Sequence, residues 1–258
     1  MKLIIIRHGE PDYENDSLTE KGKREAALLA ERAVSWNVKD IYVSSLGRAR
    51  ETASYTLKKL GREATKVCDW MQEFYYPVTD PVTGRYGVPW DFTPEYLTSE
   101  PLFYDKDRWF EAEVYKQAPE IPGAYKNVCE EFDRLLSGYG YKRVESDPRP
   151  DLHIEGKAHT GGYYDVSAVA DPDNDEVIVF FCHLGLECVI LSHLLGISPV
   201  LLWHGICLAP TSVTILNPEM QIKDKAWFRA QVIGDTSHLY VAGEPVSRAG
   251  AFSTVFSG

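Results

Sequence analysis

Residues 3–10 read Leu-Ile-Ile-Ile-Arg-His-Gly-Glu, so an apolar run stops abruptly at a polar group. Four consecutive apolar residues bounded in this way are typical of a buried strand. Arg7 and His8 would then lie at the carboxyl end of that strand, and in an open α/β sheet ligands bind in the crevice outside such ends. An imidazole there can act as nucleophile, base or ligand, which makes His8 a candidate site residue.

Two later segments repeat this arrangement of an apolar strand followed by a polar turn. The run 41–43 precedes a turn that contains Arg48, and the run 177–181 precedes Cys182 and His183. A short motif alone recurs by chance, but His8, Arg48 and His183 at three strand ends together predict one shared site. That prediction requires the two histidine rings to lie within about 10 Å of each other, close enough to share a hydrogen-bonded anion.

The pattern resembles the histidine phosphatase superfamily, which includes cofactor-dependent phosphoglycerate mutases and many acid and sugar phosphatases. Beyond Arg7-His8-Gly9-Glu10 and His183, segments 17–22 and 234–239 carry the resemblance, which covers roughly residues 1–76 and 176–240. It implies a three-layer α/β/α fold with a mainly parallel sheet, like that of phosphoglycerate mutase, and a large cap insertion. We therefore expect one domain over residues 1–258, with a core at about 1–76 and 176–258 and a cap at about 77–175.

Alternating strand and helix patterns support this fold class, because strands separated by helices favour a parallel sheet covered on both faces. Thr19 is placed to cap a first helix, and Gly61 and Gly196 are placed to end two later ones. The predicted strands are 2–7, 39–44, 66–68, 177–182, 213–216 and 231–233, and the predicted helices are 20–34, 47–60 and 185–196.

The middle region differs in composition, being rich in Pro, Gly, Tyr and Trp. Its aromatic content gives it enough apolar area to pack over the sheet, which a flexible linker lacks. These rings either build the core of the cap or stack on a ring of the substrate, and we favour the core. A helix at about 125–137 and a hairpin within 139–170, turning at 147–151, are expected here.

The charge balance limits the partners. The formal net charge of −11 disfavours nucleic acid and anionic membrane surfaces, which bind basic patches. The opening apolar run is too short for a secretory signal, and five cysteines without a paired spacing indicate reduced thiols. We expect a cytoplasmic protein whose small phosphorylated substrate is held by a local cationic pocket.

The residue types fit phosphoryl transfer, in which cations must be aimed at three equatorial oxygens. Arg7 and Arg48 present rigid donor forks that match a phosphate, and His183 can donate a further hydrogen bond. The resemblance implies that His8 is the nucleophile and forms a phosphohistidine, with its second ring nitrogen bonded to a backbone carbonyl such as that of Gly9. The neighbouring cations should lower the pKa of His8 toward its reactive neutral form.

A general acid must protonate the leaving alkoxide. Glu73 is the candidate, because it follows the third short strand, where members of the family carry a catalytic Glu, and its aromatic neighbours can raise its pKa. The alternatives are that Glu73 is an exposed loop acid, or that an acid of the cap performs this role.

Other polar residues near these motifs lie outside the predicted site. Glu10 either forms hydrogen bonds within its own loop or contacts the substrate. Asn15 can contact phosphate only if this loop is shifted by one residue relative to the family pattern. Leu184 replaces a Gly that is usual in the family after the second His. His193, His204 and Cys182 are expected to be structural, and whether His153 and His159 face the site is open. No carboxylate or histidine spacing marks a metal site, and no cofactor is expected.

Three functions follow from these residues. The first is a metal-independent phosphomonoesterase that acts through a phosphohistidine, favoured by segment 235–239 and the aromatic cap. The second is a cofactor-dependent phosphoglycerate mutase, which needs extra cations for a second anionic group. The third is a non-catalytic phosphate-binding module, since fold alone never fixes activity.

Overall fold

The computed structural model describes residues 1–145, 162–167, 174–251 and 253–256. The strands in chain order are β1 Lys2–Arg7, β2 Pro11–Asp12, β3 Ser17–Leu18, β4 Val38–Ser44, β5 Lys66–Cys68, β6 Val78–Thr79, β7 Tyr86–Gly87, β8 Tyr141–Glu145, β9 Gly162–Val166, β10 Val177–Cys182, β11 Val213–Ile222 and β12 Lys225–Asp235. The α-helices are α1 Glu20–Ala33, α2 Gly47–Leu60, α3 Pro94–Ser99, α4 Ile121–Gly138, α5 Leu184–Leu195, α6 Pro199–Gly205 and α7 Ser237–Ala242.

Eight of these strands form one sheet in the order β5-β4-β10-β1-β11-β12-β9-β8. The four strands β5, β4, β10 and β1 are parallel, and β12 and β8 share their direction, so only β11 and β9 run the opposite way. The predicted α/β/α class with a mainly parallel sheet is therefore confirmed. Its central strands β10 and β1 are adjacent and in register, with Ile5 opposite Phe180.

The two faces of the sheet are covered by different helices. Ile4 and Ile6 point to one face and pack with residues of α1 and α2, while Leu3 and Ile5 point to the other and pack with α4, α5 and α6. This alternation follows from the period of two along a strand. Since both faces are covered, all four side chains are buried, and the strand reads as an unbroken apolar run.

The predicted helix ends are confirmed. The Thr19 hydroxyl accepts a hydrogen bond from the backbone N–H of Gly22 at the start of α1. Gly61 and Gly196 follow α2 and α5 with φ of 64° and 70°, the left-handed conformation that glycine adopts without steric cost. These residues fix where α1 begins and where α2 and α5 end.

The middle region packs its aromatic rings mainly against one another. Trp109 is fully buried, and its ring centroid lies 5.0 Å from that of Tyr115, 5.5 Å from that of Tyr125 and 5.3 Å from that of Trp203. The expected core of the cap is thus formed, with Trp203 supplied by α6. The division into core and cap at about residue 77 and about residue 175 stays a prediction.

Two parts of the sheet differ from the sequence prediction. Strands β11 and β12 form a long antiparallel hairpin, whereas the sequence prediction covered only 213–216 and 231–233. Outside those two runs polar and apolar residues are mixed along both strands, and in the outer half of β12 Ala226 and Phe228 are buried. The predicted hairpin within 139–170 is present as β8 and β9, and it extends the main sheet at its edge. Its predicted turn at 147–151, His153 and His159 lie outside the described residues.

Candidate active site

The carboxyl ends of β1 and β10 bring His8 and His183 together. These strands pair in parallel, Arg7 lies opposite Cys182, and the backbone N–H of His8 donates to the Cys182 carbonyl at 3.0 Å. The centroids of the two imidazole rings are 5.1 Å apart, well inside the separation that the sequence prediction required. Both histidines are buried, with at most 1% of either residue exposed.

The ring of His8 is oriented by its own loop. Its Nδ1 lies 2.7 Å from the Gly9 carbonyl oxygen, which can only accept, so Nδ1 carries the proton. In the neutral ring, Nε2 then keeps its lone pair. Burial and the guanidinium of Arg7 hold the pKa of His8 well below its usual range. The direction is the one predicted from the sequence, but burial rather than the cations is the largest cause.

His183 is oriented by a serine at the end of β4. Its Nε2 lies 2.8 Å from the Ser44 hydroxyl, and its Nδ1 has no protein partner among the described residues. Burial, and then His8, hold the pKa of His183 well below its usual range, so the ring is neutral. If Ser44 donates to Nε2, Nδ1 bears the proton and is free to donate to a ligand.

Arg7 is held by carbonyl oxygens and not by a carboxylate. Its Nη1 donates to the carbonyl of Leu208, and its Nη2 donates to the carbonyl of Ala249 at 3.0 Å. The residue is 3% exposed. Among the described residues no carboxylate pairs with this buried guanidinium. Arg7 can therefore donate charge-assisted hydrogen bonds to an anion in the site.

Arg48 enters the site from the first turn of α2 and is held by an acidic loop residue. Its Nη1 lies 2.6 Å from Asp16 Oδ1, while Asp16 Oδ2 accepts from the backbone N–H of Gly47 at 2.5 Å. The centroid of the Tyr13 ring lies 5.6 Å from the Arg48 guanidinium carbon. One carboxylate therefore fixes both the start of α2 and the guanidinium that projects from it.

Glu73 lies on the opposite wall, where its carboxylate is aligned by backbone groups. Oε1 accepts from the backbone N–H of Phe74 at 3.0 Å and from that of Leu186 at 3.2 Å. Burial raises the pKa of Glu73, although Arg7 and Arg48 act in the opposite direction. A carboxyl group with a raised pKa beside two guanidiniums suits an acid that gives up its proton during a reaction.

The two arginines and Glu73 border one cavity of about 790 Å³, which Leu184, the residue after His183, also lines. Arg7, Arg48 and Glu73 are the charged residues of its described lining. Three buried nitrogens of the candidate site, Arg7 Nε, Arg48 Nε and His183 Nδ1, have no hydrogen-bond partner among the described residues. Buried polar groups are nearly always paired in folded proteins, so three such nitrogens from two guanidiniums and one imidazole indicate a site for an anion.

The comparison with protein families bears on this arrangement. Residues 3–80, which contain Arg7, His8, Arg48 and Glu73, match the family model of the histidine phosphatase superfamily (branch 1). The match to this superfamily lies within the first third of the chain. The resemblance predicted from the sequence is therefore confirmed.

Two curated relatives match part of the chain. One is the mitochondrial serine/threonine-protein phosphatase Pgam5 of Caenorhabditis briggsae, 28% identical over 130 residues, which are 49% of this chain and 39% of the relative. The other is the probable phosphoglycerate mutase GpmB of Photorhabdus laumondii subsp. laumondii, 36% identical over 72 residues, which are 24% of this chain and 34% of the relative. The chain thus aligns with well under half of the length of either relative.

Among solved structures, the fold is similar to that of a mutant phosphoserine phosphatase from Entamoeba histolytica in complex with phosphoserine. The TM-score is 0.55 and the identity 18%, with 92% of this chain and 98% of that chain covered. At this identity the likeness shows the fold alone and leaves the substrate open.

The remaining candidates have structural partners. Glu10 accepts from Thr19 at 2.9 Å and from Ser247 at 2.5 Å, and Asn15 is exposed and donates to Asp12 at 2.7 Å. His193 lies 2.9 Å from the Asp133 carboxylate, and His204 accepts from the backbone N–H of Phe92 at 3.2 Å. Cys182 is buried, and burial raises the pKa of its thiol. Within the described residues no His, Cys, Asp and Glu cluster has the geometry of a metal site, and no helix could span a membrane.

The structure adds three contributors that the sequence did not indicate. Asp16 and Ser44 hold Arg48 and His183, but a single Asp or Ser in a loop carries no local signal of such a role. Near the chain's C-terminal end, Ala249 reaches Arg7 across 242 positions of sequence. The one indirect signal is the start of α2, which has no side-chain cap of its own. Its first N–H groups therefore need an acceptor from elsewhere in the chain, and an acid such as Asp16 can supply it.

Proposed function

We propose that this protein is a metal-independent phosphomonoesterase that transfers the phosphoryl group of a small metabolite to His8 and then to water. The observation that carries the proposal is the set of three buried, unpartnered nitrogens, Arg7 Nε, Arg48 Nε and His183 Nδ1, around a histidine whose Nδ1 is already bonded to Gly9. A phosphoryl group supplies the oxygen acceptors that these nitrogens lack, and Nε2 of His8 supplies the lone pair that attacks phosphorus.

The first half of the reaction forms the phosphohistidine. The Nε2 lone pair of His8 bonds to phosphorus as the bond from phosphorus to the ester oxygen breaks. The proton of Glu73 passes to that oxygen, so the alcohol leaves neutral and Glu73 becomes a carboxylate. Arg7, Arg48 and the Nδ1–H of His183 hold the three equatorial oxygens, where the charge of the transition state is spread.

The second half returns the enzyme to its starting state. Glu73, now ionised, accepts a proton from water while the water oxygen bonds to phosphorus and the bond from nitrogen to phosphorus breaks. Inorganic phosphate leaves, and Glu73 is again protonated. A role for Glu73 in both halves explains why the fold raises its pKa while keeping it beside two cations.

A phosphoglycerate mutase is the alternative that the similarity to the relative from Photorhabdus supports. A mutase must grip a second anionic group, but the described lining of the cavity holds only Arg7 and Arg48 as cations, and both face the phosphoryl end in this proposal. The hydrolase is therefore the better fit, and net release of phosphate without a bisphosphate primer would distinguish it.

Phosphoenzyme trapping tests the proposal. The protein is mixed with p-nitrophenyl phosphate in the presence of a chelator, quenched in alkali to preserve phosphohistidine, and mapped by mass spectrometry. Wild type should carry one phosphoryl group on His8 and release p-nitrophenol, whereas His8→Ala should do neither, and Glu73→Gln should lower kcat by about 10²–10⁴-fold.

A matched pair of arginines on α2 supplies the control. Arg48 is buried at the site and Arg50, two positions later, is exposed, so Arg48→Ala should lose activity while Arg50→Ala keeps it. Turnover that survives in His8→Ala, or a chelator that abolishes turnover, would overturn the mechanism. Phosphate binding without any labelling of His8 would support the non-catalytic module instead.

A further inference from the structure

The outer part of the cavity is built from apolar and aromatic side chains. Beyond the phosphoryl end, the only side chain of the described lining that is neither apolar nor aromatic is that of Gln72. The apolar and aromatic wall, as we name it, consists of Tyr13, Leu46, Tyr75, Tyr76, Val88, Trp90 and Leu184. This wall faces whatever part of a substrate lies outside the phosphoryl group, so its chemistry limits the alcohol that the enzyme accepts.

Two residues place this wall directly beside the phosphoryl site. Leu184 follows His183 in the chain and lines the cavity, so its isobutyl group lies next to the phosphoryl end. Trp90 packs so closely on Gly185 that a Cβ there would lie 2.6 Å from its ring. Its centroid is also 5.5 Å from that of Trp203, which holds the ring as a fixed flat surface.

Two tyrosines of the wall have exposed rings that a ligand can contact. Tyr13 and Tyr75 are 63% and 56% exposed, in contrast to Trp90, which is 5% exposed. A flat or branched apolar group in contact with Tyr13 and Tyr75 would remove the exposed apolar surface of their rings from water. An alcohol without such a group would leave these rings exposed to water and would gain no binding energy from them.

The charges around the wall argue against a second anionic group on the substrate. Glu73 is the one acid of the described lining, and both cations of that lining lie at the phosphoryl end. Four cations of the cap are engaged with acids of the cap, in the pairs Arg85–Asp91, Lys106–Asp107, Arg108–Glu111 and Lys116–Glu113. A substrate carboxylate would therefore lose water without meeting an opposite charge, which is costly.

We propose, on the basis of the phosphomonoesterase function above, that the substrate is a monophosphate ester of an apolar alcohol that bears an aryl or branched alkyl group and no second anion. Phosphoserine, held by the Entamoeba neighbour, and phosphoglycerate carry a carboxylate close to the phosphate and belong to the disfavoured class. The wall supplies the discrimination, and the phosphoryl end is common to all substrates.

A series of primary alkyl phosphates tests this inference without differences in leaving-group chemistry. The series is 2-phenylethyl phosphate, ethyl phosphate, glycerol 1-phosphate and phosphoserine, each assayed for kcat/KM by phosphate release. We expect 2-phenylethyl phosphate to exceed ethyl phosphate by about 10–100-fold, as burial of a ring implies, and phosphoserine to be the poorest.

A pair of valines in the cap shows whether the wall is responsible. Val88 lines the cavity, whereas Val82 is exposed outside it. Val88→Lys should lower the ratio of kcat/KM for 2-phenylethyl phosphate to that for phosphoserine by about tenfold or more, and Val82→Lys should leave the ratio unchanged.

The outcomes separate this inference from the function on which it rests. If wild type hydrolyses phosphoserine as well as or better than 2-phenylethyl phosphate, the substrate class is wrong while the phosphatase stands. If both valine variants change the ratio equally, the wall does not select the substrate. If no ester labels His8, the phosphomonoesterase itself fails.

Discussion

Glu187 gives the sharpest quantitative prediction, because the fold buries this acid completely beneath the candidate site. It lies on α5 one turn after His183, is 0% exposed, and neither carboxyl oxygen accepts a well-formed hydrogen bond from the described residues. Burial raises the pKa of Glu187 from 4.5 to about 8, against the opposing influence of Thr214 and Arg7. At neutral pH the folded protein therefore holds Glu187 protonated.

The sign of the pH dependence follows from this raised pKa. Below about pH 4.5 both the folded and the unfolded chain bind the proton on Glu187, so its titration does not change the free energy of unfolding. Between pH 4.5 and 8 the unfolded chain releases the proton and the folded one keeps it, so the free energy of unfolding falls by about 1.4 kcal/mol per pH unit. The variant Glu187→Gln carries a neutral amide throughout this range and is therefore free of the loss.

Urea unfolding of wild type and Glu187→Gln at about pH 5.5 and about pH 8 measures the effect. We expect the variant to gain about 3 kcal/mol relative to wild type between these two conditions, as linkage over this interval requires. Glu63→Gln, which changes an exposed acid between α2 and β5, is the control and should show no such gain. An equal difference at both pH values for Glu187→Gln would show that the buried carboxyl is ionised in the folded protein.

Two further predictions concern the support behind the site. Gly250→Ala should lower kcat/KM by about 10²-fold, the scale of a ~1 Å misplacement of a catalytic group, because a Cβ at Gly250 would lie 2.6 Å from Arg7 Nη2. Gly243 has a similar φ, but a Cβ there would meet no atom within 4 Å, so the control variant Gly243→Ala should keep its activity. The pKa of His238 is lowered to about 4, chiefly by burial, so the unfolded chain takes up the proton first as the pH falls below 6.5. Unfolding titrations at about pH 7 and pH 5 should therefore show His238→Gln losing about 2 kcal/mol less stability than wild type, and parallel losses in the two proteins would contradict the assigned shift.

The sequence was sufficient for elements whose signals are local. The apolar run before Arg7 predicts β1, Thr19 predicts the start of α1, and Gly61 predicts the end of α2, and all three are confirmed. Each depends on neighbours within a few positions, which is the range over which periodicity and capping act. The pairing of β1 with β10 then brings His8 and His183 together.

Features that depend on distant parts of the chain were not predictable in the same way. The β11–β12 hairpin extends beyond the apolar runs of its two strands through their pairing with each other, and the edge position of β8 is set by its pairing with β9. Glu187 lies inside an apolar helix pattern, where periodicity places it on a buried face but says nothing of what lies against it. The contact of Ala249 with Arg7 likewise exists only because the chain returns to the site.

The charge of the site explains how a strongly acidic protein can attract an anion. Around the phosphoryl end, Arg7 is bonded to carbonyl oxygens, and Arg48 alone is matched by a carboxylate, that of Asp16. Burial opposes ionisation of Glu73 and Glu187 and keeps both imidazoles neutral. Among the described residues, a local positive charge therefore survives within a chain of net charge −11. Because these two acids would cancel this charge if they ionised, their raised pKa values and the proposed binding of a phosphate dianion depend on the same exclusion of water.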